Sequence, residues 1–353
     1  MLRLLGFLLI GLAASPAAAE EYFERYDLTP RAGVVHIGLQ PLGYPTGVVG
    51  AVMRRDRVLR EELAKQGQTL NTFAFRRGPD MVALVGGGRL AGALMGDMPT
   101  IATAIREPIW IVGLVKLTFS SVVSREEGVF ERLKGKRIGY VEGSSAHHAL
   151  LQGLASAGLG ERDVELIPMG VDEMPEALEQ KRIEAFSAWE PAPSVALAKS
   201  MSHRVVFRGQ STDFFILSRS FEEQHPEVAR QIVAGFVRAV EWLRRSRRNQ
   251  EQAVRWAMTD GEALSGRPAQ VTVPQGVDIV RREILDIPSA PAVPAASGPN
   301  PLLASEFRFL QRLGKIAKDS PWERVESAFG YKGLRQVTAE PLRYRLSTFD
   351  YDQ

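Results

Sequence analysis

Several short segments carry side chains able to grip a small polar molecule. Gln40-Pro41-Leu42-Gly43-Tyr44-Pro45-Thr46-Gly47 offers an amide, a phenol and a hydroxyl, with glycines that let backbone approach a ligand closely. Thr46 equally fits the role of a helix cap. Glu142-Gly143-Ser144-Ser145 presents hydroxyls just before a helical pattern opens at Ala146. Free backbone N–H groups at such a start attract an anion, each contact being worth about 0.3–2 kcal/mol. The same serines also fit an ordinary cap, and the charge of Glu142 opposes a bare anion there. Asp97 and Glu190 each precede a proline-opened helix. They could accept hydrogen bonds from an amine or ring nitrogen, or cap those helices. Trp189 next to Glu190 could be an apolar wall or a core residue.

Catalytic arrangements are missing from this inventory. The chain has no cysteine, and Gly86-Gly87-Gly88 is not followed by the Lys-Ser or Lys-Thr of a phosphate-cradling loop. No metal-ligand spacing appears. His147 and His148 are adjacent, so on a helix their side chains diverge by roughly 100° and cannot readily share a metal; one of them, His147, is the candidate to touch a ligand. No catalytic residue, metal or cofactor is therefore expected.

The elements that must position these loops alternate short apolar runs with helix-length amphipathic segments, the pattern of an α/β protein with mixed, mostly parallel sheets. Strands are predicted over Val34–Leu39, Leu70–Phe75, Leu90–Met95, Ile109–Val115, Arg137–Val141, Glu165–Pro168, Ala185–Trp189 and Phe214–Ser218. Helices are predicted over Val48–Lys65, Met81–Val85, Ala146–Ala157, Glu173–Gln180 and Pro226–Arg245. An internal echo runs at an offset of 93 residues: Asp80-Met81 returns as Glu173-Met174, Arg89-Leu90 as Arg182-Ile183, and Asp97 as Glu190. Two copies of one α/β unit imply two similar lobes, with ligands bound beyond the carboxyl ends of the strands in a cleft between them.

Composition sets the setting. Arg3, the apolar run Leu4 to Ala14 and the small residues Ala17-Ala18-Ala19 read as a signal peptide cleaved before Glu20. The run is shorter than the roughly 20 residues needed to span a membrane. Without cysteine there is neither a disulfide framework nor a lipid-anchor site, so a free periplasmic protein is expected. Removing residues 1–19 leaves enough of the 353-residue chain for about two domains. The net charge of +3 points to no bulk electrostatic partner. The basic run Arg244, Arg245, Arg247 and Arg248 closes a helical pattern, where it complements the helix dipole better than it makes a nucleic-acid patch. A Pro-rich connector with five prolines runs from Pro288 to Pro301.

With these loops in place, the chain resembles the periplasmic binding proteins for aliphatic sulfonates, taurine and nitrate, which share the two-lobed type II periplasmic binding protein fold. The resemblance rests on Ile37-Gly38-Leu39-Gln40-Pro41, Met95-Gly96-Asp97, Leu133-Lys134-Gly135-Lys136-Arg137-Ile138-Gly139, Gly143-Ser144-Ser145 and Ala188-Trp189-Glu190-Pro191. It implies an ABC importer in which this protein hands a small-molecule ligand to a membrane permease driven by an ATPase. Membrane contact would then run only through the permease; separately, no nucleic-acid partner is expected from the charge pattern, and a monomer is expected. It also implies a discontinuous first lobe: residues 20–120 and 214–353 around a second lobe of residues 121–213. The chain would cross near Phe119 to Ser121 and return near Thr212 to Phe214. Gln40, Leu42, Tyr44, Gly96, Asp97 and Ser120 would face the cleft from one side. Gly143, Ser144, Ser145, His147, Trp189 and Glu190 would face it from the other. Glu142 and the nearby carboxylates favour a zwitterion or amine-bearing molecule over a simple anion. The alternatives are an enzyme related to thiamine-pyrimidine synthases on the same fold, and a ligand-sensing partner of a membrane receptor.

Overall fold

A computed structural model describes residues 28–126, 128–285 and 303–352. The expected signal peptide and the connector Pro288 to Pro301 lie outside them. The chain runs β1 (Val34–Leu39), α1 (Thr46–Arg54), α2 (Arg57–Ala64), β2 (Thr69–Ala74), α3 (Val82–Gly86), β3 (Gly92–Gly96), α4 (Asp97–Arg106) and β4 (Ile109–Ser124). It continues with β5 (Arg137–Tyr140), α5 (Ser145–Ser156), β6 (Glu165–Pro168), α6 (Met174–Glu179), β7 (Ala185–Ala188), α7 (Ala192–Lys199) and β8 (Arg204–Ser218). Then come α8 (Arg219–Gln224), α9 (Pro226–Arg245), α10 (Arg247–Ser265), α11 (Val273–Val280), α12 (Ala304–Arg312), α13 (Trp322–Ser327) and α14 (Gly333–Ala339).

The strands form one sheet of order β2-β1-β3-β8-β4-β7-β5-β6. At one end β1 lies parallel between β2 and β3; at the other, β5 lies parallel between β6 and β7. The two ends are thus built alike, and the 93-residue echo falls on the equivalent strands β3 and β7. Between them, β4 and β8 pair antiparallel along their whole length, from Ile109 opposite Ser218 to Ser124 opposite Arg204. β3 joins β8 over Asp213 to Leu217, whereas β7 joins β4 over Ser121 to Ser124. These two long strands are the continuous connection between the halves. The expected mixed, mostly parallel two-lobed α/β fold is the one observed.

Apolar periodicity explains the packing. Val228, Ile232, Val233, Phe236, Val237, Val240 and Leu243 repeat at helical spacing on α9, and all are buried. They join a core that includes Val48, Val49 and Val52 of α1 and Phe214 to Leu217 of β8. The second half has its own clusters, one around Met174, Phe186 and Ala188 and one around Phe130, Ile138 and Leu150.

Three expectations change. The helix predicted over Val48–Lys65 is two helices, because Asp56 adopts an extended conformation, caps α2 by accepting from Leu59 N at 3.0 Å, and is held by buried Arg238. The strands predicted over Ile109–Val115 and Phe214–Ser218 are much longer, since ladder pairing between β4 and β8 satisfies the backbone of polar stretches that apolar patterning passes over. The basic run is divided: Arg244 and Arg245 close α9, while Arg247 and Arg248 open α10.

Candidate functional site

The strand ends of both halves meet the two crossing strands at one small pocket. From the first half come Gln40 at the end of β1, Thr46 at the start of α1, and Gly96 with Pro99 at the β3 to α4 turn. From the second come Ser144 and Ser145 at the start of α5, and Trp189 at the end of β7. The crossing strands add Lys116, Ser211 and Asp213.

Lys116 is the buried cation of this pocket, only 2% exposed. The ladder between β4 and β8 slips between Leu114 and Lys116, and such a bulge re-aims a side chain. Lys116 Nζ thereby comes 3.7 Å from Asp213 Oδ1, while Thr46 Oγ1 donates to Asp213 Oδ2. Ser144 caps α5: its Oγ accepts from His147 N at 3.2 Å and donates to Val141 O at 2.7 Å. The positive end of α5 and the ammonium of Lys116 thus border the same pocket.

The halves touch here. A Cβ on Gly96 would lie 2.1 Å from Ser145 Oγ, and one on Gly43 would lie 2.9 Å from Trp189 Nε1; a side chain at either position would force its neighbour to move. Tyr44 N donates to Glu190 O at 2.8 Å across the same seam. The pocket has a volume of about 20 Å³, room for a water molecule or so.

The sequence-derived candidates divide. Gln40, Gly96, Ser144, Ser145 and Trp189 are brought together around the pocket. Leu42 and Tyr44 instead line a neighbouring apolar cavity of about 70 Å³ with Val171, Pro191, Val195 and Met258. Asp97 is buried behind the pocket. Its Oδ1 accepts from Met98 N at 2.7 Å, its Oδ2 accepts from Thr212 N at 2.8 Å, and Ser145 donates to the same carboxylate. Burial raises its pKa to about 6, helped by the charge of Asp213 and opposed by those hydrogen bonds. Ser120 is fully buried on β4, away from the pocket lining, and its hydroxyl has no hydrogen-bond partner among the described residues. Gly143 packs beside Pro79 and donates its N–H to His147 Nδ1 at 3.2 Å. His147 is occupied, its Nε2 lying 3.3 Å from Glu161. Glu190 is outside the lining: it pairs with Arg282 at 2.9 Å and accepts from Ser194 N at 3.2 Å, the helix-start role that was its alternative. Glu142 is exposed and outside the lining.

Sequence reasoning missed Lys116 and Asp213. The available signal was a lone charge in each of two strands otherwise apolar toward the sheet centre, Ile109–Leu117 and Asp213–Leu217. It also missed the approach of Asp97, His148 and Glu306, whose side-chain ligand atoms lie within 4.8 Å of one another.

The family model described as the NMT1-like family matches residues 46–258, more than half of the chain. The chain belongs to the NMT1-like family. The part matched to this family contains Thr46, Gly96, Lys116, Ser144, Ser145, Trp189 and Asp213, and leaves out Gln40 and α12. A putative aliphatic sulfonates-binding protein of Escherichia coli (strain K12) is 27% identical over 223 residues, 60% of this chain and 69% of the relative. One of Bacillus subtilis (strain 168) is 26% identical over 249 residues, 67% of this chain and 70% of the relative. Among solved structures, the alkanesulfonate-binding protein of Xanthomonas axonopodis pv. citri bound to MOPS superposes with a TM-score of 0.58 at 21% identity, over 86% of this chain and 96% of that one. That likeness shows a shared fold. Among the described residues, no helix of this NMT1-like protein is long and apolar enough to cross a membrane.

Proposed function

We propose that this protein is the extracytoplasmic solute-binding component of an ABC importer, and that it takes a small sulfonate, a taurine-like zwitterion or nitrate. The observation that carries the reading is the convergence of Lys116 with hydroxyls from both halves, Thr46 on one side and Ser144 and Ser145 on the other, around one pocket. An oxyanion head would sit between the Lys116 ammonium and the start of α5, where charge-assisted hydrogen bonds are strongest. Asp213 places a carboxylate beside that cation, a pairing of charges that suits a ligand carrying an amine as well as an anion. The acid that bears on ligand choice is then Asp213, since Glu142 stands outside the lining. The apolar cavity at Leu42 and Tyr44 lies beyond the contact of Gly43 with Trp189 and offers space for an organic tail.

The pocket volume implies movement. A ligand larger than a water molecule enters only if the halves part, with β4 and β8 as the connection that flexes, and closure is stabilised by contacts made to both halves at once. A permease then recognises the closed form. The mature, tag-free chain titrated calorimetrically with ethanesulfonate, taurine and nitrate should bind at least one of them at one per chain, with micromolar affinity corresponding to about 8 kcal/mol. Absence of saturable binding by all three would remove the proposed ligand class.

Two substitutions separate pocket from periphery. Ser145→Ala removes a hydroxyl that touches both Gly96 and Asp97, and should lower affinity about tenfold, the scale of one hydrogen bond to a charged group. Glu190→Ala breaks only a pair with the half-exposed Arg282 and should leave affinity within about twofold. The same titrations check both.

A further inference from the structure

A second polar cluster lies behind the pocket, and the solute-binding reading makes no use of it. His148 on α5, Glu306 on α12 and Asp97 at the start of α4 are 3%, 7% and 1% exposed. They come from the second half, the C-terminal region and the first half, and their ligand atoms lie within 4.8 Å of one another. His148 Nδ1 faces Glu306 Oε1 at 3.3 Å, but without hydrogen-bond geometry. Neither ring nitrogen of His148 nor Oε1 of Glu306 has a hydrogen-bond partner among the described residues. Buried polar atoms are rarely left so, because each orphan costs about 1–3 kcal/mol. Here two of them, His148 Nδ1 and Glu306 Oε1, face one another.

We propose that Asp97, His148 and Glu306 form a binding site for one divalent transition-metal ion of the zinc class. An imidazole nitrogen with carboxylate oxygens is a donor set that zinc accepts, three protein ligands leaving a fourth position for water. Zinc-to-ligand bonds of about 2.0–2.2 Å in a tetrahedron separate neighbouring donors by about 3.3–3.6 Å, a range that includes the 3.3 Å from His148 Nδ1 to Glu306 Oε1. One ion gives the unpartnered nitrogen and oxygen a partner together and neutralises two carboxylates that are packed side by side away from water. Asp97 is already oriented, since backbone N–H groups of Met98 and Thr212 fix its two oxygens, the supporting arrangement that metal-binding carboxylates need. Ser145 touches both Asp97 and the pocket, so an ion reaches the site when the halves part. Because its ligands come from both halves and from α12, the bound ion would also clasp the halves together.

The competing occupant is a proton shared by Asp97 and Glu306. Tag-free full-length chain, stripped with a chelator and titrated with zinc chloride, distinguishes them, with bound metal counted by elemental mass spectrometry after gel filtration. The expected result is about one zinc per chain, together with a rise in melting temperature that grows with zinc concentration. Glu306→Gln, which keeps the side-chain shape, and His148→Ala should each weaken zinc binding about tenfold or more. If either variant fails to fold, the zinc count on the wild-type chain still decides whether an ion binds, and the other variant decides where. Binding of less than stoichiometric zinc, or equal affinity in wild type and both variants, would overturn the site and leave the shared proton as its occupant. Neither result depends on which solute the pocket takes.

Discussion

Replacing Lys116 with methionine is expected to lower affinity for a sulfonate or nitrate about a hundredfold. The ammonium is 2% exposed and borders the pocket, and a hydrogen bond to a charged group under such burial is worth about 1.5–3 kcal/mol, or roughly 10- to 150-fold. The loss should fall in the upper part of that range, because methionine also leaves Asp213 without its neighbouring cation at 3.7 Å, so its charge then repels the anion. A stability effect is expected alongside. The double variant Lys116→Met with Asp213→Asn removes both charges; it should recover most of the lost melting temperature without recovering anion binding. Calorimetry and thermal unfolding on the same samples separate the two effects. Tight anion binding by either variant would take Lys116 out of the site.

The largest structural loss is expected from Arg238→Ala, about 3–5 kcal/mol of unfolding free energy, the range for removing one partner of a buried ion pair. Arg238 is fully buried, 2.8 Å from Asp56, and donates from Nη1 to Tyr344 O at 2.8 Å. Asp56, itself 1% exposed, caps α2, so a single guanidinium ties α9, the break between α1 and α2, and the C-terminal stretch. Deleting it strands the Asp56 carboxyl, whose pKa burial already raises against the pull of Arg238. Denaturant unfolding measures the loss, and Asp56→Asn combined with Arg238→Met should cost less than Arg238→Ala alone. The pocket lies elsewhere, so ligand affinity of the folded variant should stay near that of the wild type.

The fold was legible because its parallel strands are short runs that alternate with helix-length amphipathic segments. Val34–Leu39, Glu165–Pro168 and the helix Pro226–Arg245 are found at their predicted bounds, and the echo between Asp97 and Glu190 falls on equivalent strands. The crossing strands were half hidden. Residues such as Thr118 to Ser121 on β4 and Arg208 to Thr212 on β8 interrupt the apolar pattern, yet each strand satisfies the other's backbone. Of the pocket, Gln40, Gly96, Ser144, Ser145 and Trp189 could be named from strand-end position alone. Lys116 could not be assigned, because its direction depends on a one-residue slip of the β4 ladder that no local pattern encodes. For Glu190, which the sequence left open between ligand contact and helix cap, the carboxylate accepts from Ser194 N and pairs with Arg282, a partner that strand-end position does not reveal. Glu306 stands 158 residues from His148 in the chain, and no spacing rule relates two such residues.

Solute capture of this kind requires a ligand gripped from both halves at once. A crystal structure of the chain grown with whichever of ethanesulfonate, taurine or nitrate binds most tightly tests this directly. The expected density places an oxyanion against Lys116 Nζ and the Ser144 to Ser145 turn, in contact with residues of the first half. Density for the ligand at another surface, or touching residues of only one half, would contradict it.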